Sequence, residues 1–522
     1  MDATPTAAVL KSPPGDLPAT GLQPLFHRIF TRHVLYMALL VVLPVALAEG
    51  LNATLNLLRD PDLWWHLADA RILFTTGHFI QSEPYSFAVA GQPWVNPEWL
   101  AEVPYWLSYQ AFGLRGIYLV TWLVLSANIL LVYWRGYAGA RNPDSAFWAA
   151  GLGFVLMSVN AGPRMIALGF VAMSVELLIL EAAERGHRRA LWLLPLVFCV
   201  WVNLHGTWVI GMALLVLYIL AGFLRVHMGA LAQEPLLAPD RNRLLAVLAA
   251  SLAALFVNPY GWRLVWNPLD MMVNQKLNIA SVAEWQPLKV SSFEGFSLVL
   301  VIALMVFANL KRARTFKLYD LGLLFFACYA AFDHVRFLYL AAVLLAPILA
   351  TDLARSFAPH SDMKTIPAMN ALIAAAALGY IAFMFPSEAK LQSKLQLEFP
   401  LKTIASIQPA WRTFNWDYVG GRMAFESRPD FIDSRLDTFE HHGVLQNYMA
   451  AMNLVDPLEV LDHYKIDHVL VLEQQPIAYL LKHTPGWQVA SQEKVGQETY
   501  VLYAQSSPIP DSQPSIPANP HP

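Results

Sequence analysis

Long apolar runs recur between Val34 and about residue 385, each separated from the next by a short polar or basic turn. A helix that crosses a bilayer needs about 20 mostly apolar residues, and on that measure the pattern predicts about eleven spans. They fall near 34–50, 116–134, 146–160, 165–183, 190–204, 208–225, 244–257, 293–310, 318–332, 335–351 and 367–385. The first run follows a polar, Pro-rich segment ending in His27, Arg28, Arg32 and His33. No small-residue cleavage pattern follows it, so it reads as an uncleaved anchor. After residue 388 the pattern changes. Charges return, strand-like stretches appear at Asp467–Glu473 and Thr499–Tyr503, and a helical stretch runs from Ile477 to His483 between them. This alternation predicts a small α/β domain of about 115 residues. The expected organisation is a cytoplasmic N-terminal segment 1–33 and a transmembrane domain 34–388 with a long first outer loop 51–115. A periplasmic α/β domain 389–505 and a Pro- and Ser-rich disordered tail 506–522 follow.

Composition sharpens the class. Of 522 residues, 56% are hydrophobic and only 14% charged, against roughly 25% charged in an ordinary soluble chain. Such a surplus needs lipid to face, which predicts a polytopic α-helical membrane protein. A net charge of −3 leaves no strongly basic surface for nucleic acid. Cys199 and Cys328 both lie in apolar runs, which excludes a disulfide framework or a zinc ribbon. Basic residues gather in every second loop, for example Arg185, Arg188 and Arg189, or Lys311, Arg312, Arg314 and Lys317. With Lys11, Arg28, Arg32 and Lys364 that side holds about 17 Lys and Arg, against about 8 on the other. The N-terminus is therefore expected inside and, with an odd number of spans, the C-terminal domain outside.

In this orientation the unusual residues gather on the outer side. Arg59-Asp-Pro-Asp-Leu-Trp-Trp-His66 opens a helix, with Asp60 as cap and Pro61 in the first turn. Asp62, His66 and Asp69 then share one face at i, i+4 and i+7. Capping and an acidic first turn explain these residues as well as a role in base catalysis, metal ligation or sugar recognition does. Trp94-Val-Asn-Pro-Glu-Trp-Leu-Ala-Glu102 predicts an amphipathic helix lying in the interface, bent at Pro104, with Glu98, Glu102, Tyr105 and Tyr109 on one face. Further outer turns hold Asn160-Ala-Gly-Pro-Arg164, Asn203-Leu-His-Gly206, Asn258-Pro-Tyr-Gly261 and Asp333-His-Val-Arg336, with Glu284-Trp285 in a longer loop. Gly and Pro make turns there. Arg164, His205 and Arg336 are costly at membrane depth and need partners. Either they bridge to acids such as Asp333 or Glu284, or they hold a lipid phosphate or pyrophosphate.

The motifs carry a resemblance. Asp60-x-Asp62-x-Trp64-Trp65-His66-Leu67, followed by Trp94-x-x-x-Glu98-Trp99-Leu100, resembles a bacterial group of multi-spanning membrane proteins related to the GT-C glycosyltransferase superfamily. The turns at Asn203, Asn258, Glu284 and Asp333 recur in that group in the same order. So do Phe414-Asn-Trp-Asp-Tyr-Val-Gly-Gly421 and Phe431-Ile-Asp-Ser-Arg-Leu-Asp437. One departure stands at Asn160–Met165, where the Arg-Pro order of the group is inverted. The resemblance implies a GT-C-like fold in the bacterial inner membrane. It also implies a hexosyl- or pentosyl-transferase that moves a sugar from a polyprenyl-phosphate donor to a periplasmic or lipid-linked acceptor, with inversion. Asp60 is then the first choice of base and Asp62 the second. His66 and Glu98 orient the sugar or bind a metal, Arg164, His205 and Arg336 compensate the leaving phosphate, and Glu284 and His334 complete the substrate-binding set. The acceptor is unspecified, and a divalent metal is the one cofactor left open.

Two other classes compete. A transporter or flippase for a lipid-linked or polar substrate needs ionisable residues near helix centres and two matching halves with interrupted helices. Only Glu176 lies well inside a span, and no internal repeat stands out. A non-catalytic, membrane-anchored glycan-binding protein needs fewer spans than these. No P-loop or dinucleotide fingerprint is present.

Overall fold

The computed structural model describes residues 31–50, 57–357 and 366–506. Residues 1–30 of the expected N-terminal segment, Lys364, and the expected tail from residue 507 lie outside the described residues. The chain opens with helix α1 (Arg32–Val45), then α2 (Asp62–Thr76) and α3 (Trp99–Phe112) in the first long loop. Next come α4 (Leu114–Ala140), α5 (Pro143–Met157), α6 (Ile166–Glu184), α7 (Leu194–Leu204) and α8 (Trp208–Ala221). A hairpin, β1 (Val226–Met228) and β2 (Leu231–Gln233), leads to α9 (Ala238–Ala254), α10 (Trp262–Asn274) and α11 (Lys276–Ser281). Four helices close the bundle: α12 (Phe293–Lys311), α13 (Leu318–Asp333), α14 (Leu338–Ser356) and α15 (Pro367–Met384).

Each predicted apolar run contains one helix: α1, α4 to α9, or α12 to α15. Among the described residues six helices are long and apolar enough to cross a membrane, including Leu114–Ala140, Ile166–Glu184 and Val335–Ser356. The chain is a polytopic membrane protein. Phe383 is 84% and Leu310 81% exposed on the outside of the bundle, surface that only lipid covers at low cost. At the centre stands α14, packed among α4, α5, α12 and α13 and buried on every side from Leu338 to Leu345. Small residues allow this approach: a Cβ on Gly153 would lie 3.0 Å from the Ala346 methyl.

Beyond the bundle the chain forms α16 (Glu388–Gln396), α17 (Leu401–Ser406), β3 (Thr413–Asn415), α18 (Asp417–Phe425), α19 (Leu436–His441), α20 (Val444–Met452) and α21 (Pro457–His463). It ends with β4 (His468–Leu472), α22 (Pro476–His483), β5 (Trp487–Val495) and β6 (Glu498–Gln505). The sheet order is β3-β4-β6-β5, with β3 parallel to β4 and the other pairs antiparallel. Both marked stretches are strands, and the helix lies between them as expected. β3 and β5 escaped the pattern, β3 through its three-residue length and β5 through its polar, partly exposed sequence. In β4, Val469 and Val471 point to a core shared with α19 to α22, while Leu470 and Leu472 join the core of the bundle. Covered on both faces, the strand reads as a continuous apolar run.

The first loop is clamped between bundle and sheet. α2 packs on α18, and a Cβ on Gly421 would come within 2.4 Å of the Pro61 carbonyl. Helix α3 overturns the interfacial expectation. It packs against α4 and α2, and Glu102 and Tyr105 are buried, not presented to water. Pairing Glu102 with a histidine on α2 makes this affordable for a carboxyl group.

Candidate active site

At the end of the bundle that carries the first loop, acids and cations from five segments converge. Asp60 precedes α2 and accepts the Asp62 N–H at 3.0 Å, which opens the helix. Its other oxygen receives Nε of Arg164, from the turn between α5 and α6, at 2.7 Å. The same guanidinium binds Glu284, from the loop before α12. Asp62 accepts from the Trp65 indole at 3.3 Å. Glu98, just before α3, lies between two imidazoles: Nε2 of His66 at 3.3 Å and Nε2 of His205 at 3.2 Å. Arg336 follows α13 and lies 4.2 Å over the Trp285 ring, while its carbonyl accepts from Asn160 at 3.2 Å. Its charge acts on both Glu98 and His205.

Burial sets the protonation states. It holds Asp62 well above the usual carboxylate range, helped by the charge of Asp60. Glu98 is pushed up to about 8 by burial and by the charge of Asp62, against the opposing pull of Arg336. Burial and Arg336 push His205 down to about 3, and burial holds His66 well below its ordinary value. Arg164 is raised, because Asp60 and Glu284 outweigh its desolvation.

The pairings bear on several expected roles. Burial, with the charge of Arg336, opposes a cation at His205, whose Nε2 lies 3.2 Å from Glu98. His66 is enclosed, with its two ring nitrogens facing Glu98 and Glu102. Arg164 is bound by two carboxylates, Asp60 and Glu284, as in the bridging alternative. His334 stands apart from the cluster. Its Nδ1 meets the Trp285 carbonyl at 2.6 Å and its ring packs edge-on against Trp285, so it holds the Glu284–Trp285 turn. Asp333 pairs with His334, not with Arg336.

A divalent metal does not fit these residues. Asp60 and Glu284 are committed to Arg164, and both oxygens of Glu98 face imidazoles. Among the described residues no three His, Cys, Asp or Glu side chains are arranged to hold a metal ion.

The sheet unit adds a residue that the sequence reading left without a role. Asp437, at the start of α19, is buried, is pushed up to about 6 chiefly by that burial, and its charge acts on Glu98. The motif Phe431–Asp437 was legible, but its position over the site depends on contacts across more than 300 residues. One of them is the Ser86 hydroxyl on the Phe431 carbonyl at 2.8 Å.

The buried states have a pH signature. Between 4.5 and about 8 the folded chain keeps a proton on Glu98 that the unfolded chain releases, so stability falls as pH rises through that window. His205 acts oppositely from about 3 to 6.5, where the unfolded chain takes up a proton that the folded chain refuses. Above 6.5 only Glu98 of the two still acts. The melting temperature is expected to fall between pH 6.5 and 8, and Glu98→Gln is expected to flatten that slope. An unchanged slope in the variant would refute the assignment.

No family model and no curated protein matches the chain. Solved structures do. The archaeal oligosaccharyltransferase AglB from Archaeoglobus fulgidus, in complex with an inhibitory peptide and a dolichol-phosphate, is 13% identical. That match covers 94% of this chain and 75% of AglB, with a TM-score of 0.54. The Archaeoglobus fulgidus oligosaccharyltransferase tethered with an acceptor peptide is 14% identical over 84% of this chain and 69% of that one, at a TM-score of 0.52. ArnT from Cupriavidus metallidurans, bound to undecaprenyl phosphate, is 15% identical over 93% of this chain and 98% of ArnT, at 0.49. At such identity the oligosaccharyltransferase likeness establishes the fold. The chain shares the fold of these membrane oligosaccharyltransferases.

Proposed function

We propose that the protein is a membrane glycosyltransferase that moves a sugar from a polyprenyl-phosphate donor to an acceptor at the outer face of the bilayer, with inversion. In this reading all eleven apolar helices cross a bacterial inner membrane, the N-terminus is cytoplasmic, and the sheet unit is periplasmic. The observation that carries it is the pairing of acids and one uncommitted cation at one end of the bundle. Arg336 makes no ion pair among the described residues and stacks only on Trp285. A guanidinium held this way has donors free for a lipid phosphate, and its charge offsets the negative charge that develops as the phosphate leaves. Asp60 is occupied by Arg164. Asp62 has no such partner and raised proton affinity, which suits a general base near neutral pH. Its charge also acts on Glu98. The oligosaccharyltransferases of like fold, one of them solved with a dolichol-phosphate, support the class of donor.

Purified protein in undecaprenyl-phosphate liposomes, given undecaprenyl-phosphate-linked sugars and an envelope lipid extract as acceptor, is expected to release free undecaprenyl phosphate. Arg336→Met is expected to raise the donor KM and lower the rate. Release by Arg336→Met at the wild-type rate and KM would sink the site assignment, and no release from any lipid-linked sugar would sink the function.

A further inference from the structure

At the other end of the bundle from the candidate active site, four helices enclose a cavity of about 250 Å³. That is just under the roughly 300–1,000 Å³ of typical small-molecule sites. Its walls come from the ends of α6 and α8 and the starts of α9 and α13, with β2 laid across them. Helix α6 begins beside Arg164 and ends at Glu184, which lines the cavity. Its 19 residues span roughly 28 Å, close to the hydrocarbon thickness of a bilayer of about 30 Å. The cavity therefore lies at the membrane face opposite the acids of the first loop. The hairpin over it is fixed in place: the Ala232 N–H donates to the Phe316 carbonyl at 3.0 Å, and the Phe316 N–H to the Ala230 carbonyl at 2.7 Å.

Donors and acids share the lining. Lys317 pairs with Glu184 at 2.6 Å, and Arg188 pairs with Asp240. An ammonium has three N–H donors and a guanidinium five, so neither cation is used up by one carboxylate. Tyr218 is 8% exposed, and the charges of Glu184 and Arg188 both act on it. Its hydroxyl has no hydrogen-bond partner among the described residues, and its ring meets Tyr319 edge-on at 5.1 Å. Three kinds of donor thus border one space, the arrangement that holds phosphate oxygens. The acids decide which phosphate. Glu184, Glu234 and Asp240 oppose a strongly anionic group and offer acceptors to an ammonium. Arg225 and His227 pair with Glu234 from outside, and Arg243 with Asp240, so the charges of the set nearly cancel. Leu220, Phe223 and Leu237 stand next in the chain to the lining residues Ala221, Gly222 and Leu236 and are exposed, which puts apolar surface for acyl chains beside the cavity.

We propose that this cavity holds the headgroup of a zwitterionic aminophospholipid, its phosphate on Arg188, Lys317 and Tyr218 and its ammonium on the neighbouring acids. In the proposed orientation the lipid belongs to the inner leaflet. Seated there, it ties α6, α8, α9 and α13 together at the end of the bundle away from the chemistry. The site is independent of sugar transfer.

The test uses the full-length protein, stripped of lipid in detergent, with native mass spectrometry to count and rank bound lipid. One dioleoylphosphatidylethanolamine is expected to bind at least tenfold more tightly than dioleoylphosphatidylglycerol, which is anionic, or dioleoylphosphatidylcholine, whose nitrogen has no N–H. Lys317→Gln is expected to weaken that binding about tenfold and Tyr218→Phe about fivefold. Glu184→Gln combined with Glu234→Gln is expected to bring the three lipids within threefold of one another. Tyr218→Phe removes a single hydroxyl, so it keeps the test decisive if a charge variant fails to fold. Bound phosphatidylethanolamine is also expected to raise the melting temperature of the wild type more than that of Lys317→Gln. Equal binding of the three lipids by the wild type, or undiminished binding by folded Tyr218→Phe and Lys317→Gln, overturns the site. Glycerophosphoethanolamine, the same headgroup without acyl chains, is expected to bind at least a hundredfold more weakly, and binding as tight as that of the intact lipid overturns the membrane source.

Discussion

Asp62→Asn is expected to lower the rate of sugar transfer by about 10²- to 10⁴-fold, the contribution of a positioned general base. Asparagine keeps the shape, and its carbonyl still accepts the Trp65 indole N–H that now reaches Asp62 at 3.3 Å. What is lost is the ability to take a proton. Because the side chain is buried and feels the charge of Asp60, the neutral amide removes a like-charge repulsion, so stability is expected to hold or rise. Asp60→Asn makes the informative contrast. It releases one of the two carboxylates on Arg164, so its cost is expected in thermal stability and in the position of Glu284, with a smaller loss of rate. Measuring initial rates at saturating donor, with melting temperatures of both variants, separates the cases. A folded Asp62→Asn protein within threefold of the wild-type rate would refute the base assignment.

The second large effect lies away from the chemistry. Arg435→Met is expected to destabilise the protein by about 3–5 kcal/mol, the usual consequence of removing one partner from a buried ion cluster. Arg435 is 3% exposed. It binds Asp433 through Nε at 3.0 Å to each oxygen, and its Nη1 lies 2.8 Å from Glu83. Its guanidinium also lies 4.9 Å over Trp94 and 5.1 Å over Tyr85. Glu83 caps the backbone at Tyr85 and Ser86, at 2.8 and 2.9 Å. One cation therefore ties the first loop to the sheet unit, and without it Asp433 and Glu83 are left facing each other in the interior. Lysine at this position keeps the charge but not the planar fork, and an intermediate loss is expected. Combining Arg435→Met with Glu83→Gln and Asp433→Asn is expected to recover part of the stability, since no charge is then left unpaired. Thermal unfolding in detergent, with proteolysis of the first loop as a local readout, measures both. A melting temperature within two degrees of wild type would show that the cluster does not hold the units together.

Much of the architecture was legible because membrane helices satisfy their backbone locally, so a run of apolar residues is itself close to a structural statement. Helices α4, α6, α12 and α14 follow their runs within a few residues. The same logic fails for α3. Alternating acids and aromatics suggested a helix half in water, yet Glu102 is enclosed by His66 and Asn96 from positions no periodicity connects. The sheet unit was half legible: β4 and β6 carry strand patterns, while β3 is too short and β5 too polar to stand out.

The site divides in the same way. Residue types and local motifs marked Asp60, Asp62, Glu98, Arg164, His205, Glu284 and Arg336, because acids, imidazoles and guanidiniums at helix ends are conspicuous against a chain that is only 14% charged. Which of them are charged was not marked. A cation at His205 is opposed by burial and by Arg336, Arg164 is occupied because Asp60 and Glu284 reach it from two other loops, and Asp437 acts on Glu98 from the far end of the chain. The sequence by itself determined that this is a multi-spanning protein and which side chains are candidates for chemistry, since the cost of burying backbone and charge in lipid is paid residue by residue. Only the tertiary structure decided how each candidate is paired, because pairing depends on distances of a few ångströms between groups that the chain separates by up to several hundred residues.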